Sequence, residues 1–435
     1  QVHLLSHFST QPDALIQAQD LLFASRSFVV SATTDSAINS LQRLRLDALE
    51  RGATDEATHL QLAIERHRAE LGVSRNNQAT LLSTAEIQAG LLADEVVLSL
   101  NRSHFGTTLF LLRPDSLQTV SLPDAESIEA DVAILLRSAS ERGRFDYPSA
   151  TRLGQLFLGP VLAHRQVRKI YWFPDELTNN IPFAALNIGT AERYQPAITR
   201  FTTSLIPAFR HNLLTMPEPD SIAVLSAALP DAWEPASGAD EIRTWSATAQ
   251  PLLWAGREVA EIVRLFNTRK PLVFTNQQAS IEALQALKNT DIIHIASHGY
   301  VSQQDQDLAG LVLYGDGGEP QFVGWRSFSA LNLNSRLVFL NGCQTARGEA
   351  IQGNGVYGLA RGFLESGAHN VLATRWNISD RSAFRLTQAF YQQLKSGQGI
   401  SESLRQAQAT LYSSPQFRDP YYWASYALYS QKKSL

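Results

Sequence analysis

The chain has 435 residues, 44% of them hydrophobic and 18% charged, with a formal net charge of -4. Such a length accommodates two or three domains of roughly 150 residues each, and the apolar share excludes a disordered chain. The slight acidity gives no global pull toward nucleic acid or anionic membrane, and a single cysteine excludes an intrachain disulfide and a zinc-thiolate cluster.

No apolar run reaches the roughly 18 residues of a membrane-spanning helix. The opening QVHLLSHFST lacks the basic-then-apolar layout of a secretory signal. One cysteine in so long a chain fits a reducing compartment, so the expected location is the cytoplasm. The missing initial Met points to a fragment or a processed product with sequence lost upstream.

From Pro12 to Leu71 the apolar residues recur at three and four, with Gly52 and Gly72 where helices end. The pattern predicts paired amphipathic helices, the end of a helical repeat array. EVVLSLNRSHFGTTLFLLRPDSLQTVSLP then predicts three strands joined by turns. Two helices follow (ESIEADVAILLRSASERG and SATRLGQLFLGPVLAH), then the short strand KIYWF, a loop through NNIPFAAL that packs back, and the strand TTSLIP. SIAVLSAA is a further strand, and 229–251, rich in proline, acidic and small residues, is expected to be a long surface loop.

Beyond it one pattern repeats: GREVAEIVRLFN, SIEALQAL, GVYGLARGFLESG, DRSAFRLTQAFYQQLKSG and SESLRQAQATLYSS as helices. They alternate with PLVF, DIIHIASHG, GLVLYGD, RLVFLNGC, NVLATRWN and WASYALYS as strands, and GWRSFSALNLN is helix or loop. Five- and six-residue apolar runs between helices predict a mostly parallel sheet covered on both faces. Sites in such sheets lie at the carboxyl ends of the strands.

Two strand ends carry chemistry. DIIHIASHG delivers His298 and Gly299, and RLVFLNGC delivers Gly342 and Cys343. On parallel neighbouring strands an imidazole and a thiol emerge at one edge, a nucleophile and its base. The backbone N–H groups of Gly299 and Cys343 are the candidate oxyanion donors, and glycine at 299 and 342 permits sharp turns there. For a lone cysteine the competing reading is a small buried hydrophobe. His294, in the apolar interior of the same strand, reads as a core histidine. No histidine pair has metal-ligand spacing, and neither a metal nor a cofactor is expected.

Gly353, Gly355 and Gly358 spell G-x-G-x-x-G, but a dinucleotide loop follows its strand at once. Here a stretch (TARGEAIQGN) intervenes, so the glycines are expected to serve the packing of a helix. Asp380, in WNISDRS, has two readings: a cap or first-turn residue of the next helix, or an acid that receives a basic substrate side chain.

As a set, HIASHG, LVFLNGCQTARGE, GNGVYGLARGFLESGAHNVLATRWNISD, SESLRQAQATL and PYYWASYALY, with WFPDELTNNIPFAAL upstream, resemble the CHAT domain. This caspase-like peptidase domain is often found after tetratricopeptide repeats. The resemblance implies an α/β caspase-haemoglobinase fold: a three-layer sandwich with a mostly parallel central sheet, a pseudo-protease half before an active half. It implies His298 as base and Cys343 as nucleophile, with Gly299 and Cys343 as oxyanion donors. WNISDRS is similar to the separase segment W-D-V-T-D, whose acids bind a basic side chain; Asp380 keeps one acid and Asn377 replaces the other.

The expected division is a helical segment at 1–75, the end of a tetratricopeptide array, and a pseudo-caspase half at 76–215. A strand and surface loop occupy 216–256 and the active half 257–435. The function expected is a cysteine endopeptidase acting on a protein substrate, controlled by a protein bound to the N-terminal helices, with neither nucleic acid nor membrane as partner. A catalytically silent caspase-like scaffold is the alternative, and nucleotide binding comes third.

Overall fold

The computed structural model describes residues 84–433, apart from 104–105, 176, 211–220, 228–239, 248–251, 268–269, 303–307, 316, 344–353 and 378. The helices expected between Pro12 and Leu71 lie outside the described residues. Helix α1 (Thr84–Ala89) leads into an antiparallel meander of β1 (Glu95–Ser103), β2 (Gly106–Arg113) and β3 (Ser116–Leu122). Asp124 caps α2 (Ala125–Ser140) by accepting from Ser127 N at 2.8 Å, and Asp146 caps α3 (Tyr147–Leu162) through Ser149 N. Each short carboxylate satisfies an amide that the first turn leaves without a partner.

Strand β4 (Lys169–Phe173) carries Trp172, which stacks on Phe183 with ring centroids 4.0 Å apart. This contact folds NNIPFAAL back onto the strand through two short turns of 3₁₀ helix, Thr178–Asn180 and Phe183–Ala185. β5 (Thr202–Arg210) closes this half.

The second half opens on β6 (Ile222–Ser226), α4 (Asp240–Ser246), α5 (Ala255–Leu265), β7 (Leu272–Thr275) and α6 (Ile281–Gln285). It continues through β8 (Ile292–Val301), β9 (Ala309–Tyr314), β10 (Pro320–Gly324), α7 (Trp325–Ser329) and β11 (Leu337–Cys343). Helix α8 (Asn354–Glu365), β12 (Asn370–Thr374), α9 (Asp380–Lys395), α10 (Ile400–Ser413) and β13 (Tyr426–Lys433) complete it. Two elements depart from expectation. The stretch expected to be loop contains α4, and the short β10, which the sequence pattern did not announce, pairs with β9 at the sheet edge.

One sheet of thirteen strands runs through both halves, in the order β10-β9-β8-β11-β12-β13-β5-β4-β1-β2-β3, with β6 beside β8 and β7 beside β6. Seven of its twelve pairings are parallel. All ten residues of β8 are buried, which is why its sequence reads as an apolar run rather than an alternation. Phe339 of β11 meets Phe390 and Tyr391 of α9, which in turn packs on α5 and α10. Helix α8 packs on α7, where Phe363 stacks on Phe328 at 4.6 Å. The fold is thus a three-layer α/β sandwich around a mostly parallel central sheet.

Candidate active site

The site is built around an irregularity in the pairing of β8 with β11. Their parallel register runs to Ala296↔Asn341 and resumes at Gly299↔Cys343, so Ser297 and His298 face a single residue, Gly342. Two residues opposite one is a β-bulge, which bends the strand and re-aims a side chain. Gly342 has φ +99°, and a Cβ there would lie 2.8 Å from Ser297 O, so only glycine fits. Ser297 in turn donates its hydroxyl to Val312 O, tying the bulge to β9.

His298 was expected just past a strand end; instead β8 continues to Val301 and changes partner. Its pairing with β6 ends at Ala296↔Ser226, and its pairing with β9 begins at Gly299↔Leu311. His298 sits in the gap between the two partners, the equivalent of a strand end on that side. β11 ends on Cys343, so the register sets the backbones of Cys343, Gly299 and His298 together. The loop 344–352 and Gly353, with their expected roles, lie outside the described residues.

Helix α4 covers the histidine. His298 is 1% exposed, and Trp245 stands edge-on to its ring with centroids 6.3 Å apart. Trp245 also contacts the Tyr300 ring at 5.1 Å, while Glu241 accepts hydrogen bonds from the Tyr300 and Ser302 hydroxyls. Burial and the Glu241 carboxylate push the Tyr300 phenol well above its ordinary pKa, so it stays a donor.

Below the bulge lies a buried polar network. Asn341, two residues before Cys343, donates to Glu258 Oε1 at 2.5 Å and accepts from the Tyr426 hydroxyl at 2.9 Å. Glu258 Oε1 also lies 3.1 Å from His294 Nε2, off the hydrogen-bond axis, and His294 Nδ1 lies 3.1 Å from the Tyr391 hydroxyl. Burial and the Glu258 charge push the Tyr391 phenol well above its ordinary pKa. With no exposure, Tyr391 on Nδ1 and the Glu258 carboxylate near Nε2, His294 is the core histidine that its position in the strand announced. The network bolts β11, β8, α5, α9 and β13 together beneath Cys343. Glu258 was not singled out in the sequence, because a glutamate on an amphipathic helix looks like any surface acid.

Asp380 is the first residue of α9; the helix cap is Ser379, with no side-chain bond. Its carboxylate instead accepts from Trp254 N at 2.6 Å, anchoring the start of α5. Burial pushes the Asp380 carboxyl above the usual range; the Trp254 amide opposes this and the Glu258 charge adds to it. Asn377 is half-buried, and its Oδ1 finds no partner among the described residues. Both residues follow β12, the neighbour of β11. Among the described residues no group of three or more His, Cys, Asp or Glu is placed to hold a metal ion, and no helix is long and apolar enough to cross a membrane.

The last two glycines of the G-x-G-x-x-G, Gly355 and Gly358, fall in a helix. Both lie in α8, which starts at Asn354 rather than at the end of β11. Close packing along this helix falls at Gly362, where a Cβ would meet Trp325 O at 2.4 Å.

Known proteins share parts of this chain. A 98-residue stretch is 35% identical to tetratricopeptide repeat protein 28 of Mus musculus, covering 22% of this chain and 4% of that protein. The chain thus spans a small fraction of the curated relative it matches. A chain of the Saccharomyces cerevisiae separase-securin complex is similar with a TM-score of 0.49 and 11% identity, over 98% of this chain and 36% of that one. A chain of the complex of Porphyromonas gingivalis RgpB pro- and mature domains gives 0.40 and 10%, over 71% and 77%. The family model of the CHAT domain matches residues 147–431, from the start of α3 into β13, and takes in the bulge, Cys343 and His298: the chain belongs to the CHAT domain family.

Proposed function

We propose that this protein is a cysteine endopeptidase with Cys343 as nucleophile and His298 as its base. The observation that carries the reading is the register Gly299↔Cys343, which sets the chain's one cysteine beside the His298-Gly299 pair at the end of the parallel ladder. The Cys343 thiolate attacks a peptide carbonyl carbon, and the backbone N–H groups of Gly299 and Cys343 receive the oxyanion. His298 gives the leaving amine its proton, and water then releases the acyl group. Asn377 and Asp380, at the same edge, face the substrate in this reading. With one of the two acids replaced and the other held by Trp254 N–H, it does not include a preference for basic residues. The substrate is a protein, the setting is the reducing cytoplasm, and a partner docked on the segment upstream of residue 84 controls the enzyme.

Alkylation tests the dyad. Iodoacetamide is expected to label Cys343 at least about tenfold faster at neutral pH than a model thiol, with His298→Ala removing the excess. Mass spectrometry of a peptide library is expected to reveal cleavage that Cys343→Ala abolishes. A labelling rate equal to the model thiol's and indifferent to His298→Ala would leave a silent scaffold.

A further inference from the structure

Glu258 of α5 is 3% exposed, and Asn341 and His294 beside it are as deeply buried. Its Oε1 accepts from Asn341 Nδ2 and lies 3.1 Å from His294 Nε2, and its charge acts on the Tyr391 phenol. Asn341 extends the contact to two further elements. Its Nδ2 reaches Thr387 Oγ1 of α9 at 3.2 Å, and its Oδ1 accepts from the Tyr426 hydroxyl of β13. A buried ionic cluster adds little net stability, so its contribution is sought in the geometry it imposes.

That geometry concerns the last residues of β11. The ladder with β12 ends at Phe339↔Leu372; beyond it the β11 backbone pairs with β8 alone, through Asn341↔Ala296 and, after the bulge, Gly299↔Cys343. On the side where β12 no longer pairs, the Asn341 side chain ties the strand to α5, α9 and β13. One residue, Gly342, with φ +99° and no side chain, separates this anchor from Cys343. An amide has distinct donor and acceptor ends. The Thr387 and Tyr426 hydroxyls can meet either end, whereas a carboxylate only accepts, so Glu258 decides which way the Asn341 amide faces.

We propose that Glu258 is a positioning residue: by fixing the Asn341 amide it holds the end of β11 so that the Cys343 backbone N–H points at the oxyanion. This rests on the endopeptidase reading and adds to it a residue that touches neither the substrate nor the reacting atoms. An oxyanion donor acts in the transition state, so displacing it lowers kcat and leaves KM unchanged. Glu258→Gln keeps the shape and one acceptor but also offers an N–H donor, so the Asn341 amide can turn over. Asn341→Asp sets two carboxylates against each other. Combined, the two substitutions pair an amide donor on α5 with a carboxylate on β11, and the direction of the bond is fixed again, in reverse.

Cleavage kinetics on one library peptide that the wild-type protein cuts test this, with every rate taken below the melting transition of every variant so that unfolded protein does not enter. Glu258→Gln is expected to lower kcat about tenfold at constant KM, and Asn341→Asp to lower it further. The double variant is expected to recover to within about threefold of the wild type. An unchanged kcat in Glu258→Gln, a rise in KM in its place, or a double variant no faster than Asn341→Asp overturns the proposal. Should the wild-type protein cut no peptide, the endopeptidase reading is what fails. The tie itself is then judged by amide exchange over Leu337–Cys343. Exchange about tenfold faster in Glu258→Gln and restored in the double variant upholds it, and unchanged exchange refutes it.

Discussion

Gly342 shows how much one residue contributes to the candidate site. Its φ of +99° and the nearness of Ser297 O leave no room for a Cβ, so Gly342→Ala is expected to cost on the order of 1–3 kcal/mol. Because relief of the strain shifts the bulge, alkylation of Cys343 should slow by about an order of magnitude in the same variant while the far-UV spectrum stays native. Asp380 makes a prediction of opposite character. Its carboxyl is raised in the folded state, so the folded protein binds the proton more tightly than the unfolded chain. Its contribution to stability is present below the ordinary value of 3.8 and is lost as pH rises through the higher folded value. Asp380→Asn removes that titration, since the amide oxygen still accepts from Trp254 N–H. Melting temperatures across pH 3.5 to 7 should therefore shift in favour of the variant as pH rises; a wild-type advantage that grows with pH would refute the assignment. At this scale the meeting of Cys343 with the His298-Gly299 pair was legible, because a lone cysteine and a His-Gly each follow an apolar run. Glu258, Asn341 and Arg375 were not, because their importance lies in partners 46 to 196 residues away.

Among the elements, α4 changes the picture most. Proline, acid and small residues around it suggest surface loop, and its seven residues carry no long apolar stripe. What makes it a helix is tertiary: Trp245 packs on His298 and Tyr300, and Glu241 gathers two hydroxyls from β8. Trp245→Ala removes the main apolar contact of so short an element, so the loss should appear as local opening before global unfolding. Amide exchange over Asp240–Ser246 is expected to accelerate by about tenfold or more, and diethyl pyrocarbonate should modify His298 faster. Unchanged exchange and unchanged modification would mean that Trp245 does not hold α4 over the histidine. The central strands, by contrast, were legible, since β8, β11 and β12 lie inside the sheet and carry runs of buried apolar residues. β10 escaped notice for the complementary reason: a five-residue edge strand that begins with proline gains its order from pairing with β9.

Taken whole, the molecule is one sheet shared by two halves. β13 runs parallel to β5, and across that seam Tyr429 donates to Asn179 Oδ1 at 3.1 Å while Arg375 reaches Asn179 O. The strand that completes the second half is thus also the strand that joins it to the first half. By itself the sequence determined the α/β class, the alternation of strands and helices, the sheet edge at which chemistry is expected and the pair His298 and Cys343, because each follows from local periodicity and from residue types with few other uses. Only the tertiary structure decided which strand ends are neighbours, that a bulge at Gly342 brings Cys343 level with Gly299, that α4 covers His298, and that Arg375 lies buried at the seam without a carboxylate partner among the described residues. These are long-range facts: strand register and burial are set by the packing of the whole sheet, and no window of sequence contains them.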